Sequence, residues 1–250
     1  MANQMIALGL ALIGAVALAV TGIYQRRKTH GETIVPLFKA FPNEVGRVAE
    51  EGRAIHVALG SGGILGEQSM VSVAALQGLS GLTELSTAYD TPPTVTTGDP
   101  TLYLLAENQV RDGYARLGSA ESYRFGTVRF VAPSPIAYAA MAATVTSDES
   151  LGASINLGSF DQEISLLAHA AVVKNVALYG GAASPQGAAA LYPILRGDHI
   201  AIGEELFSGG AEATGRSGFW AGLATQDILR WLVIAGIVAV AVASLLGLGG

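Results

Sequence analysis

The stretch Gly60-Ser61-Gly62-Gly63-Ile64-Leu65-Gly66 carries the most suggestive chemistry in the chain, because a glycine loop between a strand and a helix brings backbone N–H groups close to phosphates. Its spacing is an approximate fit. The dinucleotide pattern G-x-G-x-x-G asks for glycine where Leu65 stands, and the Walker pattern asks for a lysine that is absent. Glu67 falls in the expected first helical turn, where its carboxylate competes with a phosphate for the free N–H groups. The plain alternative is a tight strand-to-helix turn that needs glycine for its backbone.

Acidic residues recur where strands are expected to end: Glu67, Asp99, Asp161, Glu163, Glu204 and Glu205. In an open parallel sheet these positions converge on one edge, where carboxylates can bind a cation or exchange protons. First-turn carboxylates are also favoured by the helix dipole alone, by about 0.3–1 kcal/mol each. The histidines His30, His56, His169 and His199 lack a metal-ligand spacing such as H-x-x-x-H. Ser134 and Ser159 follow strands outside any G-x-S-x-G elbow and read as helix caps or turn residues. With no cysteine, thiolate metal sites and a cysteine nucleophile are excluded. No catalytic residue, metal site or cofactor is assigned from these residues.

The elements that would position them alternate between short β-branched or apolar runs and alanine-rich helical stretches. Strands are expected at 54–59, 94–97, 128–132, 154–157, 176–179 and 199–202, with helices at 67–88, 100–117, 135–147, 161–174, 185–195 and 204–213. Pro100, Pro135 and Pro185 stand where helices should begin, since a first-turn residue needs no N–H. The fold class expected is α/β, an open, mostly parallel sheet of about six strands with helices on both faces in a Rossmann-like three-layer arrangement. Strand order stays open.

Both ends read as membrane helices. Met5 to Tyr24 runs about 20 residues without a charge, long enough to cross a bilayer core of about 30 Å. Arg26, Arg27 and Lys28 follow it and should stay in the cytoplasm. Trp231 to Leu248 is a second uncharged run, entered from Arg230. The expected organisation is a span at 1–24, a cytoplasmic tether at 25–53, a cytoplasmic α/β domain at 54–218, an interfacial amphipathic segment at 219–230 and a second span at 231–250. This places the protein in the plasma (inner) membrane with both termini outside.

Small residues recur every fourth position in the two spans, at Ala7, Ala11, Ala15 and Ala19 and at Ala235, Ala239, Ala243 and Gly247. Such spacing lets helices approach closely in lipid, although an alanine-rich composition also produces it. Only 14% of residues are charged, against about 25% in ordinary soluble domains, so much of the domain surface is either covered or bland. The net charge of −6 offers no basic field for nucleic acid. The expected partners are the lipid bilayer, further copies of the chain and other membrane proteins.

Several phrases carry a resemblance: Ala58-Leu59-Gly60-Ser61-Gly62-Gly63, Val131-Ala132-Pro133-Ser134-Pro135 with Tyr138-Ala139-Ala140, Gly158-Ser159-Phe160, Ile202-Gly203-Glu204-Glu205-Leu206-Phe207 and Gln226-Asp227-Ile228-Leu229-Arg230-Trp231. Together they resemble an uncharacterised bacterial two-span membrane-protein family, a domain of unknown function. The resemblance implies the architecture and carries no activity or catalytic residue. Two functions are therefore expected to compete. One is an anchored assembly protein whose copies associate through the α/β domain and the small-residue helices. The other is a membrane-tethered enzyme or sensor binding a small ligand, nucleotide or cation at the strand carboxyl ends.

Overall fold

Six parallel strands form one sheet: β1 (Ala54–Gly60), β2 (Pro93–Thr97), β3 (Val128–Phe130), β4 (Leu151–Ser159), β5 (Ala177–Ala182) and β6 (Ile200–Ile202). Their spatial order is β3-β2-β1-β4-β5-β6. The computed structural model describes residues 14, 16–24, 35–148, 150–214 and 217–245. The chain divides into two units, Glu32–Thr214 and a second formed by Met1–Gly31 with Gly215–Gly250.

The first unit is the α/β domain. Its helices are α1 (Pro36–Glu50), α2 (Ser69–Ala88), α3 (Pro100–Arg116), α4 (Pro135–Thr146), α5 (Ile164–Val173), α6 (Pro185–Leu191) and α7 (Glu205–Thr214). Prolines 100, 135 and 185 open α3, α4 and α6 as expected. Helix α2 packs against α3 and α7, and α1 against α7, over one face of the sheet; α4, α5 and α6 pack in series over the other. Side chains of a strand alternate between faces, so Ile55, Val57, Leu59, Ile155 and Leu157 feed the first core. The second core mixes alanines from α4 and α5 with larger residues, among them Tyr138, Phe160, Ile164, Leu167 and Leu191.

Residues 36–50, expected as part of a tether, instead form a helix of the domain. Leu37, Phe38, Phe41, Val45 and Val48 are buried, at the spacing of one helical face. Phe38 and Phe41 meet edge to face at 5.4 Å. Pro36 is a first-turn proline, and Pro42 inside the helix forgoes one backbone hydrogen bond that the packed aromatic face offsets. Glu44, 7% exposed, is held by Arg47 and accepts a hydrogen bond from the Tyr179 hydroxyl at 3.1 Å. Arg47 also donates to the Gly152 carbonyl, so α1 is tied to the amino ends of β4 and β5. Strand β4 begins three residues earlier than expected, at Leu151, which pairs with Ala54 of β1, and Gly152 beside it is small where Val48 lies on it.

In the second unit, residues 16–24 are helical and α8 (Ser217–Leu245) is one continuous helix of 29 residues. The interfacial segment and the second span expected as separate pieces are therefore one element. The charges of Asp227 and Arg230 interrupt the apolar pattern without interrupting the backbone ladder. The stretch Trp220–Val238 is long and apolar enough to cross a membrane, the one such helix among the described residues. The first expected span lies largely outside them.

The two helices meet through small residues. Thr21 Oγ1 lies 2.8 Å from Thr225 Oγ1, within reach of the Ala17 carbonyl at 2.8 Å and the Ala221 carbonyl at 3.2 Å as acceptors for its one proton. Ala17 with Thr21, and Ala221 with Thr225, are each four apart, the spacing that allows close approach in lipid. Ala19 and Ala235 are exposed instead. Ala19 lies two residues out of phase with the contact, about 200° around its helix. Ala239 and Ala243 lie on α8, whereas Ala7, Ala11, Ala15 and Gly247 fall outside the described residues.

Candidate functional site

The strand order reverses between β1 and β4, and in open parallel sheets the crevice outside the carboxyl ends at such a point is where ligands bind. The glycine loop leaves β1 there. Gly60 has φ +80, and a Cβ on it would lie 2.4 Å from the Ser159 carbonyl oxygen. The Gly60 carbonyl accepts a hydrogen bond from Gly98 N–H at 2.9 Å, which locks the exits of β1 and β2 together. Beyond it, a Cβ on Gly62 would meet the Ser159 side chain and the Gln68 amide oxygen, and one on Gly63 would meet the Asp99 carboxylate. Main-chain atoms hold position 60 to glycine, while side chains crowd positions 62 and 63. Ser61 is half-buried beside Gly98.

The carboxylates at the strand exits serve mainly as local caps. Asp99 accepts from Thr101 N–H and Leu102 N–H at the start of α3. Glu163 accepts from Asp161 N–H, and Glu205 from Ile202 N–H. Glu67 does not enter the first turn of α2, because the chain turns at Gly66 with φ +96 and the helix begins only at Ser69. Glu67, Asp161 and Glu204 are exposed. Among the described residues no three acidic or histidine side chains come close enough to hold a metal ion. The loop and Asp99 are thus brought together, while the remaining carboxylates stay at their own helices.

A buried polar line beneath the loop escaped the sequence reading. Gly60 N–H donates to the Tyr138 hydroxyl at 3.2 Å, which lies 3.1 Å from Thr96 Oγ1. Thr96 Oγ1 lies 2.9 Å from His56 Nε2, and His56 Nδ1 faces Thr146 Oγ1 at 3.2 Å and Ser154 Oγ at 3.4 Å. Burial, with a smaller push from the Arg129 charge, brings His56 down to about 3, so its imidazole is neutral. Burial likewise raises the Tyr138 phenol well above its usual range. Both rings act as hydrogen-bonding spacers between β1, β2, β4 and α4, and among the described residues no carboxylate bonds to His56 to orient it as a base.

A family model described as Domain of unknown function (DUF6754) matches residues 2–248. The chain belongs to that family. No curated protein and no solved structure matches it. The DUF6754 match runs from the first apolar stretch through the α/β unit into α8, so both units described above are parts of one family architecture.

Proposed function

We propose that this DUF6754 protein is a membrane-anchored assembly protein whose copies associate through one face of the α/β domain. The observation that carries the reading is the outer surface of α4 and α5. These neighbouring helices contain no Asp, Glu, Lys or Arg, and they expose Ile136 at 72%, Val172 at 61% and Val173 at 65%, together with Met141 and Leu166, alongside the uncharged Thr144, Ser165 and His169. An exposed apolar patch on a folded domain marks a contact surface, and a single chain presents only half of such a contact. A second copy supplies the other half. The exposed Ala19 and Ala235 leave small-residue faces free for helix contacts between copies in the bilayer. Tethering in one plane with one orientation lowers the cost of association and favours closed rings or sheets.

The two ends are proposed as an antiparallel pair of spans in a bacterial inner membrane, both termini outside and the α/β unit in the cytoplasm. Support comes from the uncharged lengths and from Arg26, Arg27 and Lys28 on one flank and Arg230 on the other. A reporter fused after Gly250 is expected to read as external, and one inserted near Pro42 as cytoplasmic. The reverse pattern overturns the topology.

Light scattering on the detergent-solubilised protein tests the assembly directly. The wild type is expected to sediment and scatter as a multiple of the 25.6 kDa chain. Ile136→Lys with Val172→Lys should reduce that mass at least twofold while leaving the melting transition in place, since both side chains point outward. A wild-type monomer in mild detergents and in nanodiscs would remove this reading. It would bring forward the second one, a small ligand at the β1/β4 crevice, which the strand order favours and the Asp99 carboxylate against Gly63 disfavours for phosphates.

A further inference from the structure

At the opposite, amino edge of the sheet, a cavity of about 600 Å³ opens between the ends of α2 and α3 and the segment leading to β3. Its wall includes Thr87, Asp90, Tyr114, Ser119, Glu121 and Arg124. Among the described residues, Asp90, Glu121 and Arg124 make no ion pair or side-chain hydrogen bond although they border one space. Arg116 differs, being held by Glu84 at 2.9 Å. The Tyr114 hydroxyl feels both signs of charge: burial and Asp90 push its proton affinity up, and Arg124 pulls it down. Thr87 Oγ1 is buried and has no hydrogen-bond partner among the described residues, where a helical threonine would ordinarily bond to its own preceding turn.

Asp90 follows the end of α2 with φ +54, a left-handed position that aspartate and asparagine tolerate better than most residues and that Asn175 also takes after α5. The last carbonyls of α2 and α3 turn the negative ends of both helices toward the same region. One side of the cavity therefore favours a cation and Arg124 favours an anion, while two carboxylates against one guanidinium disfavour a ligand of net negative charge.

We infer that this cavity binds a small zwitterion of the α-amino-acid class, its ammonium between Asp90, Glu121 and the helix ends, its carboxylate on Arg124. The volume lies within the range of small-molecule sites, about 300–1,000 Å³. Thr87 and Ser119 supply hydroxyls at its wall.

Isothermal titration of the full-length protein in detergent with the common L-α-amino acids, one at a time, tests this. At least one is expected to bind with Kd below about 1 mM. Its N-acetyl and carboxamide derivatives should each bind at least tenfold more weakly, because each removes one of the two charges. Arg124→Gln and Asp90→Gly should each weaken the parent at least tenfold. Asp90→Gly should do so without lowering the melting temperature, since glycine suits its backbone, and Arg124→Gln provides a second variant outside the core. Binding by none of the amino acids, or parent and carboxamide binding alike, overturns the proposal. So does unchanged affinity in both variants.

Discussion

Acidification from pH 7 to pH 4 is expected to destabilise the α/β unit by about 3 kcal/mol through His56 alone. Its imidazole ionises near 6.5 in the unfolded chain and only near 3 in the fold. A group whose folded value is depressed binds protons first in the unfolded state. The stability it confers is thus complete above about pH 6.5 and falls as the pH drops toward 3. The groups facing the ring are Thr96, Thr146 and Ser154, with the Arg129 charge further out, so no carboxylate is placed to rescue an imidazolium. Denaturant melts at pH 7, 5.5 and 4 read the effect. His56→Gln should start lower at pH 7, since Thr96 and Ser154 lose a well-placed partner, and then lose less on acidification. Equal losses in wild type and variant would show that acid acts elsewhere.

Gly60→Val is expected to cost about 4 kcal/mol or more, enough to prevent accumulation of folded protein. Two penalties coincide there. The backbone is left-handed, and the added Cβ would meet the Ser159 carbonyl at 2.4 Å, a main-chain atom that cannot swing aside. Gly52 is the control, with φ +64 and open space around its missing Cβ. Gly52→Ala should cost only about 1 kcal/mol, the conformational penalty by itself. Urea midpoints of the two variants separate the steric part from the backbone part. Comparable losses would contradict the close β1/β4 approach at the loop.

The parts of this architecture legible in the sequence are those with local causes. Proline at the first turn of α3, α4 and α6 marks each helix start through its own missing N–H, and short β-branched or apolar runs mark the strands. Helix α1 was hidden by the same residue type, because Pro42 sits inside a helix whose aromatic face outweighs the lost bond. The glycine loop could be found, yet the reason for its glycines could not. Ser159 and Asp99 become its neighbours only once the strands take the order β3-β2-β1-β4-β5-β6. The line from Gly60 through Tyr138 and Thr96 to His56 is hidden for the same reason, its members lying 78 and 40 positions apart along the chain. The cavity beside Asp90 is made of helix ends at the edge of the sheet opposite the usual ligand crevice, a place that strand patterns do not point to.

The sheet also bears on how copies would join in the proposed assembly. Its two margins, β3 and β6, are three residues each, and Arg129 stands in the middle of one of them. So few unpaired main-chain groups give an incoming strand little to bind, and a charged side chain discourages it further. Growth by adding strand to strand, the route to irreversible fibres in crowded two-dimensional layers, is closed at both margins. In the proposed assembly, contacts between copies would therefore fall to helical surfaces, which join by side-chain packing and leave the main-chain ladder closed within each copy.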